Sequence, residues 1–226
     1  MTAVAIFVKT PGLSPIKTRL AATIGVSLAE HWHQLAAQAV AEIAQAASIG
    51  PVYWAVAEAE GVDYPLWQGL PRRLQPQGAL GTRMAHIHNG LIQSHGQAIL
   101  LGADTPQIVP TDLVQASDWL SKTSPRQVIG PATDGGFWGY GSNRVIEPNR
   151  WERIAYSQAD TLKTFQAQFD GVGSWLSLAT HTDVDEQHDM SEAHRALSAL
   201  SKPSPTQRAL VKWLENNAPA IGHISA

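Results

Sequence analysis

Short apolar stretches, each followed by a turn and then a helical pattern, limit what this chain can fold into more than any other feature. Residues 4–8 and 98–101 are apolar throughout, with no polar alternation, as expected of central parallel strands covered on both faces. Val52–Val56 and residues 128–130 read as further strands, residues 73–75 as a short one and residues 176–179 as a late one. Between them Leu28, Trp32, Leu35, Ala39, Ile43 and Ala47 recur at helical spacing, behind Ser27 and Glu30 placed as a capping box. Residues 80–93 and 157–169 also look helical, Thr111 is placed to cap a helix ending near Leu120, and two helices close the chain from about residue 188. Strands that alternate with helices predict an α/β chain: a Rossmann-like three-layer sandwich around a mostly parallel sheet.

The 226 residues suit one large α/β domain, residues 1–226, and are too few for two comfortable ones. No repeat or linker interrupts them, and Pro203 to Pro205 merely separates the last two helices. The formal charge of −3 gives no basic field to draw the chain onto nucleic acid or anionic lipid. An anionic ligand must therefore be held by local cations or backbone amides. No apolar run approaches the roughly 20 residues that cross a bilayer. The first residues read as a buried strand, not a signal peptide. With no cysteine there is no disulfide, thiolate metal site or cysteine nucleophile, and a cytoplasmic location is expected.

In an open parallel sheet, ligands bind beyond the carboxyl ends of the strands, and the chain's most unusual segments fall there. The loop after the first strand carries Lys9, Lys17 and Arg19 around Pro11, Gly12 and Pro15. Its cations, with the amides of a helix start, suit a phosphate chain, although a solvated turn has the same composition. The Walker pattern is absent. Gly102-Ala103-Asp104-Thr105-Pro106 sets one carboxylate at a strand tip, where Asp104 serves either a Mg²⁺ or Mn²⁺ ion beside a nucleotide or its own turn. Asp183 and Asp185, two apart on an extended segment, project from one face and repel unless a cation intervenes. In Asp134-Gly135-Gly136 the glycines permit close backbone approach, and Asp134 can orient or deprotonate an acceptor hydroxyl, or cap a tight turn. Trp138 and Tyr140 fit core or edge packing. The pairs His31/His33 and His86/His88 are two apart on helices and do not face each other, so histidines are weak candidates. No zinc, Gly-x-Ser-x-Gly or dinucleotide motif is present.

The ordered set Ile6-Phe7-Val8-Lys9-x-Pro11, Lys17-Thr18-Arg19-Leu20, Leu80-Gly81-x-Arg83-Met84, Gly102-Ala103-Asp104-Thr105-Pro106, Gly130-Pro131-Ala132-x-Asp134-Gly135-Gly136 and Asp183-Val184-Asp185 resembles the bacterial DUF2064 family of GT-A-like glycosyltransferases. It is similar, more distantly, to 2-phospho-lactate guanylyltransferases. The resemblance spans about residues 3 to 190 and implies a nucleotide-diphospho-sugar transferase fold. It further implies Asp104, Asp183 and Asp185 as metal ligands, Lys9, Lys17, Arg19 and Arg83 as nucleotide or phosphate contacts, and Gly135 and Gly136 beside the acceptor. Ser14 stands where the family has glycine, Ala79 where it has aspartate, and Glu186-Gln187 where it has Thr-Pro.

The expected activity is metal-dependent glycosyl transfer from a nucleotide-sugar to a small acceptor, with Asp104 and Asp134 as the catalytic carboxylates. Nucleotidyl transfer from a triphosphate to a phosphorylated acceptor, releasing pyrophosphate, is the alternative favoured by the cationic loop. A nucleotide-binding module without activity is the third reading, and Ala79 keeps it open.

Overall fold

The computed structural model describes residues 1–221. Strand β1 (Thr2–Val8) turns Val4, Ile6 and Val8 to one face and Ala3 and Ala5 to the other, all of them buried. Parallel partners flank it: β2 (Val52–Val56) on one side and β4 (Gln97–Gly102) on the other, with β3 (Arg72–Leu74) at the edge beyond β2. Beyond β4 the sheet continues through β6 (Phe137–Ser142), β5 (Arg126–Pro131) and β7 (Ser174–Ser177), giving the order β3-β2-β1-β4-β6-β5-β7.

Strand β6 is the departure from the sequence reading, which treats its aromatics only as packing residues. It runs antiparallel to both β4 and β5, and Tyr140 lies opposite Leu100 on one side and Ile129 on the other. Its buried Trp138 and Tyr140 point to opposite faces of the sheet. The reversal needs only the tight turn after β5, so no crossover helix separates the two.

Helices α2 (Val26–Ala46) and α4 (Pro110–Leu120) cover the face of Val4, Ile6, Trp54 and Leu101. Helices α3 (Leu80–His95), α5 (Pro148–Glu152) and α6 (Thr161–Gln168) cover the opposite face, where Tyr140, Trp151, Phe165 and Phe169 form an aromatic cluster over small alanines. Helix α1 (Thr18–Ile24) and the closing pair α7 (Gln187–Ser198) and α8 (Pro205–Ile221) pack on the outer side of α2 around Trp32, Met190 and Leu210. Among the described residues no helix is long and apolar enough to cross a membrane.

Three local expectations are corrected. Gly25, not Ser27, is the N-cap of α2, and Glu30 accepts a hydrogen bond from the Gly12 amide (3.4 Å) in place of closing a capping box. Helix α4 begins at Pro110 and its leading amide, that of Val109, donates to the Asp112 carboxylate (3.0 Å), so Thr111 is not the cap. Residues 157–160 stay outside α6. The Thr161 hydroxyl accepts from the Gln158 amide (2.9 Å) and donates to the Ala155 carbonyl (3.1 Å), while Ser157 takes a left-handed φ of 61°. Local side-chain bonds of this kind compete with a helix.

Candidate active site

The loops that follow β1, β4, β5 and β7 meet beyond one edge of the sheet. Thr10 fixes the first: its amide donates to Glu58 (2.9 Å) and its hydroxyl accepts from the Trp67 indole (3.0 Å). The β7 loop is tied to the β4 loop by the Val184 amide on the Asp104 carbonyl (3.3 Å), and to the β5 loop by the Thr133 amide on the His181 carbonyl (3.0 Å). Asp189, which the sequence reading passes over, accepts hydrogen bonds from the amides of Asp185 (3.0 Å) and Glu186 (2.8 Å) and fixes the acidic turn at the start of α7.

Lys17 stands at the centre. In a left-handed conformation (φ 46°), it places its ammonium 2.7 Å from Asp104 Oδ2 and 2.6 Å from Asp185 Oδ1, with its side chain only 5% exposed. Burial alone would lower the lysine pKa; the two carboxylates outweigh it and the net shift is upward. Burial would likewise raise Asp104, but Lys17, assisted by His33, holds it well below the usual carboxylate range. Arg19 is bound to Asp185 (2.5 Å) and Glu186 (3.2 Å). Glu186 thus helps to hold Arg19.

Asp183 lies beside this ion pair and accepts a hydrogen bond from the Thr105 hydroxyl. Burial pushes it up to about 7; the Thr105 bond opposes the rise, and the charges of Asp104 and Asp134 add to it. Asp134 Oδ1 accepts from the Gly136 amide (2.8 Å). Gly135 (φ 86°) needs to be glycine, because a Cβ would strike the Ala159 carbonyl.

Two cavities open on either side of Asp104 and Asp185. One, of about 620 Å³, is lined by Lys9, Lys17, Arg19, His33, Gln75 and Arg83. Lys9 donates to the Pro15 carbonyl (3.2 Å), and Arg83 is steadied by Gln75 (3.1 Å). The other, of about 510 Å³, is lined by Asp134, Gly136 and Asp183 and by the apolar side chains of Met84, Phe137 and Tyr156. Phe7, Arg19, Leu80, Tyr156, Ser157, Asp104 and Asp185 line both. Gly135 belongs to the supporting layer, with its carbonyl accepting from the Leu162 amide (2.8 Å).

All three predicted metal-binding aspartates therefore reach one place, but Lys17 joins two of them and is not free to face a ligand. Among the described residues no group of three His, Asp or Glu side chains is arranged to hold an ion. The carboxylate oxygens there are nevertheless of the kind that such an ion takes, although Lys17 now supplies the positive charge between two of them. Asp104 Oδ1 is buried with no hydrogen-bond partner, and oxygen donors around a required positive charge are what Mg²⁺ and Mn²⁺ take.

His33, set aside on spacing, proves to be a site residue. Its Nε2 faces the Lys9 carbonyl (3.1 Å) and must carry a proton, since a carbonyl only accepts, and its Nδ1 lies 3.5 Å from Asp104 Oδ1. The available signal was a polar residue on the apolar face of α2, between Trp32 and Ala36.

The fold is that of the nucleotide-diphospho-sugar transferases. A protein from Desulfovibrio desulfuricans G20, proposed to be such a transferase, superposes with a TM-score of 0.84 at 23% identity, covering 97% of this chain and 96% of the other. A CMP:2-keto-3-deoxy-manno-octonic acid synthetase complexed with CTP gives 0.52 at 13% identity, covering 88% and 98%. Rv0371c of Mycobacterium tuberculosis H37Rv, complexed with manganese, gives 0.51 at 16%, covering 88% and 98%. No curated protein matches the chain. The chain belongs to the DUF2064 family, described as uncharacterized protein conserved in bacteria, which it matches over residues 32–158. That span holds Arg83, Asp104, Asp134, Gly135 and Gly136; Lys9, Lys17, Arg19, Asp183 and Asp185 lie outside it.

Proposed function

We propose that this protein is a metal-dependent transferase that moves a glycosyl group from a nucleotide-sugar to a small acceptor. The observation that carries the reading is the pair of cavities, one cationic and one acidic and apolar, sharing Asp104 and Asp185. In this reading Lys9, Arg19 and Arg83 bind the donor's nucleotide and phosphates. Asp104, Asp183 and Asp185 would hold Mg²⁺ or Mn²⁺, which when bound neutralises charge on the departing diphosphate. The acceptor hydroxyl oxygen forms a bond to the anomeric carbon while the bond from that carbon to the diphosphate oxygen breaks. Asp134 takes the hydroxyl proton and the nucleoside diphosphate leaves with the electron pair.

Nucleotidyl transfer is kept as a second reading because four cationic side chains, Lys9, Lys17, Arg19 and Arg83, line the first cavity. The products decide between them: glycosyl transfer yields a nucleoside diphosphate, and nucleotidyl transfer yields pyrophosphate in step with product. A thermal-shift screen of nucleotides and nucleotide-sugars, with and without Mg²⁺ or Mn²⁺, tests the common part. Stabilisation by nucleotide that requires the metal supports the proposal. A chain that no nucleotide stabilises is not a transferase of this kind, and one that binds nucleotide without turnover is a binding module.

A further inference from the structure

The second cavity differs from the first in the charge that it can tolerate. Four carboxylates border it, from Asp104, Asp134, Asp183 and Asp185. Among the described residues its one lining cation is Arg19, whose guanidinium is already engaged by Asp185 and Glu186. Lys17 is likewise committed to Asp104 and Asp185. With Lys17 and Arg19 so paired, Asp134 and Asp183 face this space without a cation of their own among the described residues.

The rest of the wall is apolar. Phe7, Leu80, Phe137 and Tyr156 are partly buried hydrophobics packed on the aromatic core, and all four face this space with the buried Met84. Large side chains gathered around a cavity of this size, with polar groups confined to one end, are the usual design of a small-molecule site. The Tyr156 hydroxyl donates to the Trp151 carbonyl (3.1 Å), so its ring edge is held in place and its polar end is already occupied.

We infer that the second cavity takes a hydroxyl-bearing acceptor that is uncharged or cationic and has a flat apolar body, and that it rejects phosphorylated and other anionic acceptors. This inference deepens the transferase proposal and rests on it for the word acceptor; the charge preference of the cavity stands on the lining alone. An anionic group entering there would meet like charges from Asp134 and Asp183 at close range. An ammonium would meet unshared carboxylate oxygens, and an apolar ring would cover the exposed edges of Phe137 and Tyr156. If the inference holds, nucleotidyl transfer to a phosphorylated acceptor is disfavoured by the cavity itself.

The test uses three probes with one body: benzyl alcohol, benzylamine and benzyl phosphate, titrated into the whole protein and read by NMR at the Phe137 ring and the Met84 methyl, which line the second cavity and not the first. Benzyl alcohol and benzylamine are expected to shift those signals, with benzyl phosphate weaker there by about tenfold or more. Asp134→Lys, an exposed substitution, is expected to reverse the order of amine and phosphate. Equal affinities, tighter binding of the phosphate to the native protein, no binding by any probe, or an order unaltered by Asp134→Lys would each overturn the inference. Nucleoside diphosphates titrated separately with Mn²⁺ test the transferase reading, because they report on the first cavity. Failure there with the expected benzyl series leaves the charge preference intact and removes the transferase. Success there with a reversed benzyl series removes only the acceptor class.

Discussion

The two cavities share a wall yet are built from different materials, and the contrast comes from the elements that border each. The first lies between the β1 loop, which supplies Lys9 and Lys17, the residue after β3, Gln75, and the first turn of α3, which supplies Arg83. The second lies toward β6 and the residues before α6, which supply Asp134, Phe137, Tyr156 and no lysine. A parallel half therefore gathers cations, and the half containing the antiparallel strand gathers carboxylates and aromatic edges. Asp104, at the tip of β4, stands at the seam. In the transferase reading, one sheet would hold a polyanion and an uncharged partner side by side, with Asp104 and Asp185 between them.

The sharpest way to break that contrast is at Asp134. If it accepts the acceptor's proton, Asp134→Asn lowers turnover by about 10²–10⁴-fold with nucleotide affinity unchanged, as for a lost general base. Steady-state rates beside calorimetric binding check it, and a fully active variant would put the base elsewhere.

Next in size is the seam. Lys17→Met leaves Asp104 and Asp185 without their buried counter-charge, and removal of one partner from a buried pair costs about 3–5 kcal/mol. Urea denaturation should show a loss of that order in chelator, with part of it recovered in Mn²⁺. Equal losses in chelator and in Mn²⁺ would mean that the carboxylates do not accept a metal in place of the lysine.

Asp183 gives a smaller effect that depends on pH. Its folded-state pKa of about 7 lies above the ordinary aspartate value, so the folded chain holds this proton more tightly than the unfolded one. The resulting stability is fully present below about pH 4 and is lost as pH rises through 7. Denaturation midpoints for the native chain should fall across that window, and Asp183→Asn should remove much of the fall. Parallel curves for the two proteins would contradict the shift.

The smallest effects belong to the first cavity. Lys9→Ala and Arg83→Ala are each expected to weaken nucleotide binding by about 1–3 kcal/mol, the range of a charge-assisted hydrogen bond. Calorimetry is the measure, and unchanged affinity in both variants would move the phosphates out of this cavity.

Much of this arrangement could be read from the chain before any coordinates. The double-faced apolar runs located β1, β2 and β4 because strands buried on both sides leave little room for polar residues. The aspartates at strand ends fell together for the same topological reason. Strand β6 was hidden because glycine occupies every second position in Gly139-x-Gly141 beside Trp138 and Tyr140, and glycine weakens any strand pattern. The partner of Lys17 was beyond reach, since Asp185 is 168 residues away in sequence and only the folded sheet makes them neighbours. His33 was masked by helical periodicity, which marks a buried face but not what lies against it. The overlong helix before residue 169 was lost to Thr161, whose hydroxyl bonds halt the turn pattern that spacing alone continues.

The hairpin that brings β6 into the sheet has a consequence for how such a chain can diversify. Both of its arms are locked into the sheet, β5 against β7 and β6 against β4, and its tip is pinned as well: Gly135 lies against the Ala159 carbonyl, and its own carbonyl accepts from the Leu162 amide (2.8 Å). Residues inserted at that tip would push on the segment before α6, and residues inserted in the β1 loop would pull on Lys17 and the ion pair beneath it. Variation of the second cavity is therefore confined to exchanges of the side chains that line it, with the lengths of both loops held fixed.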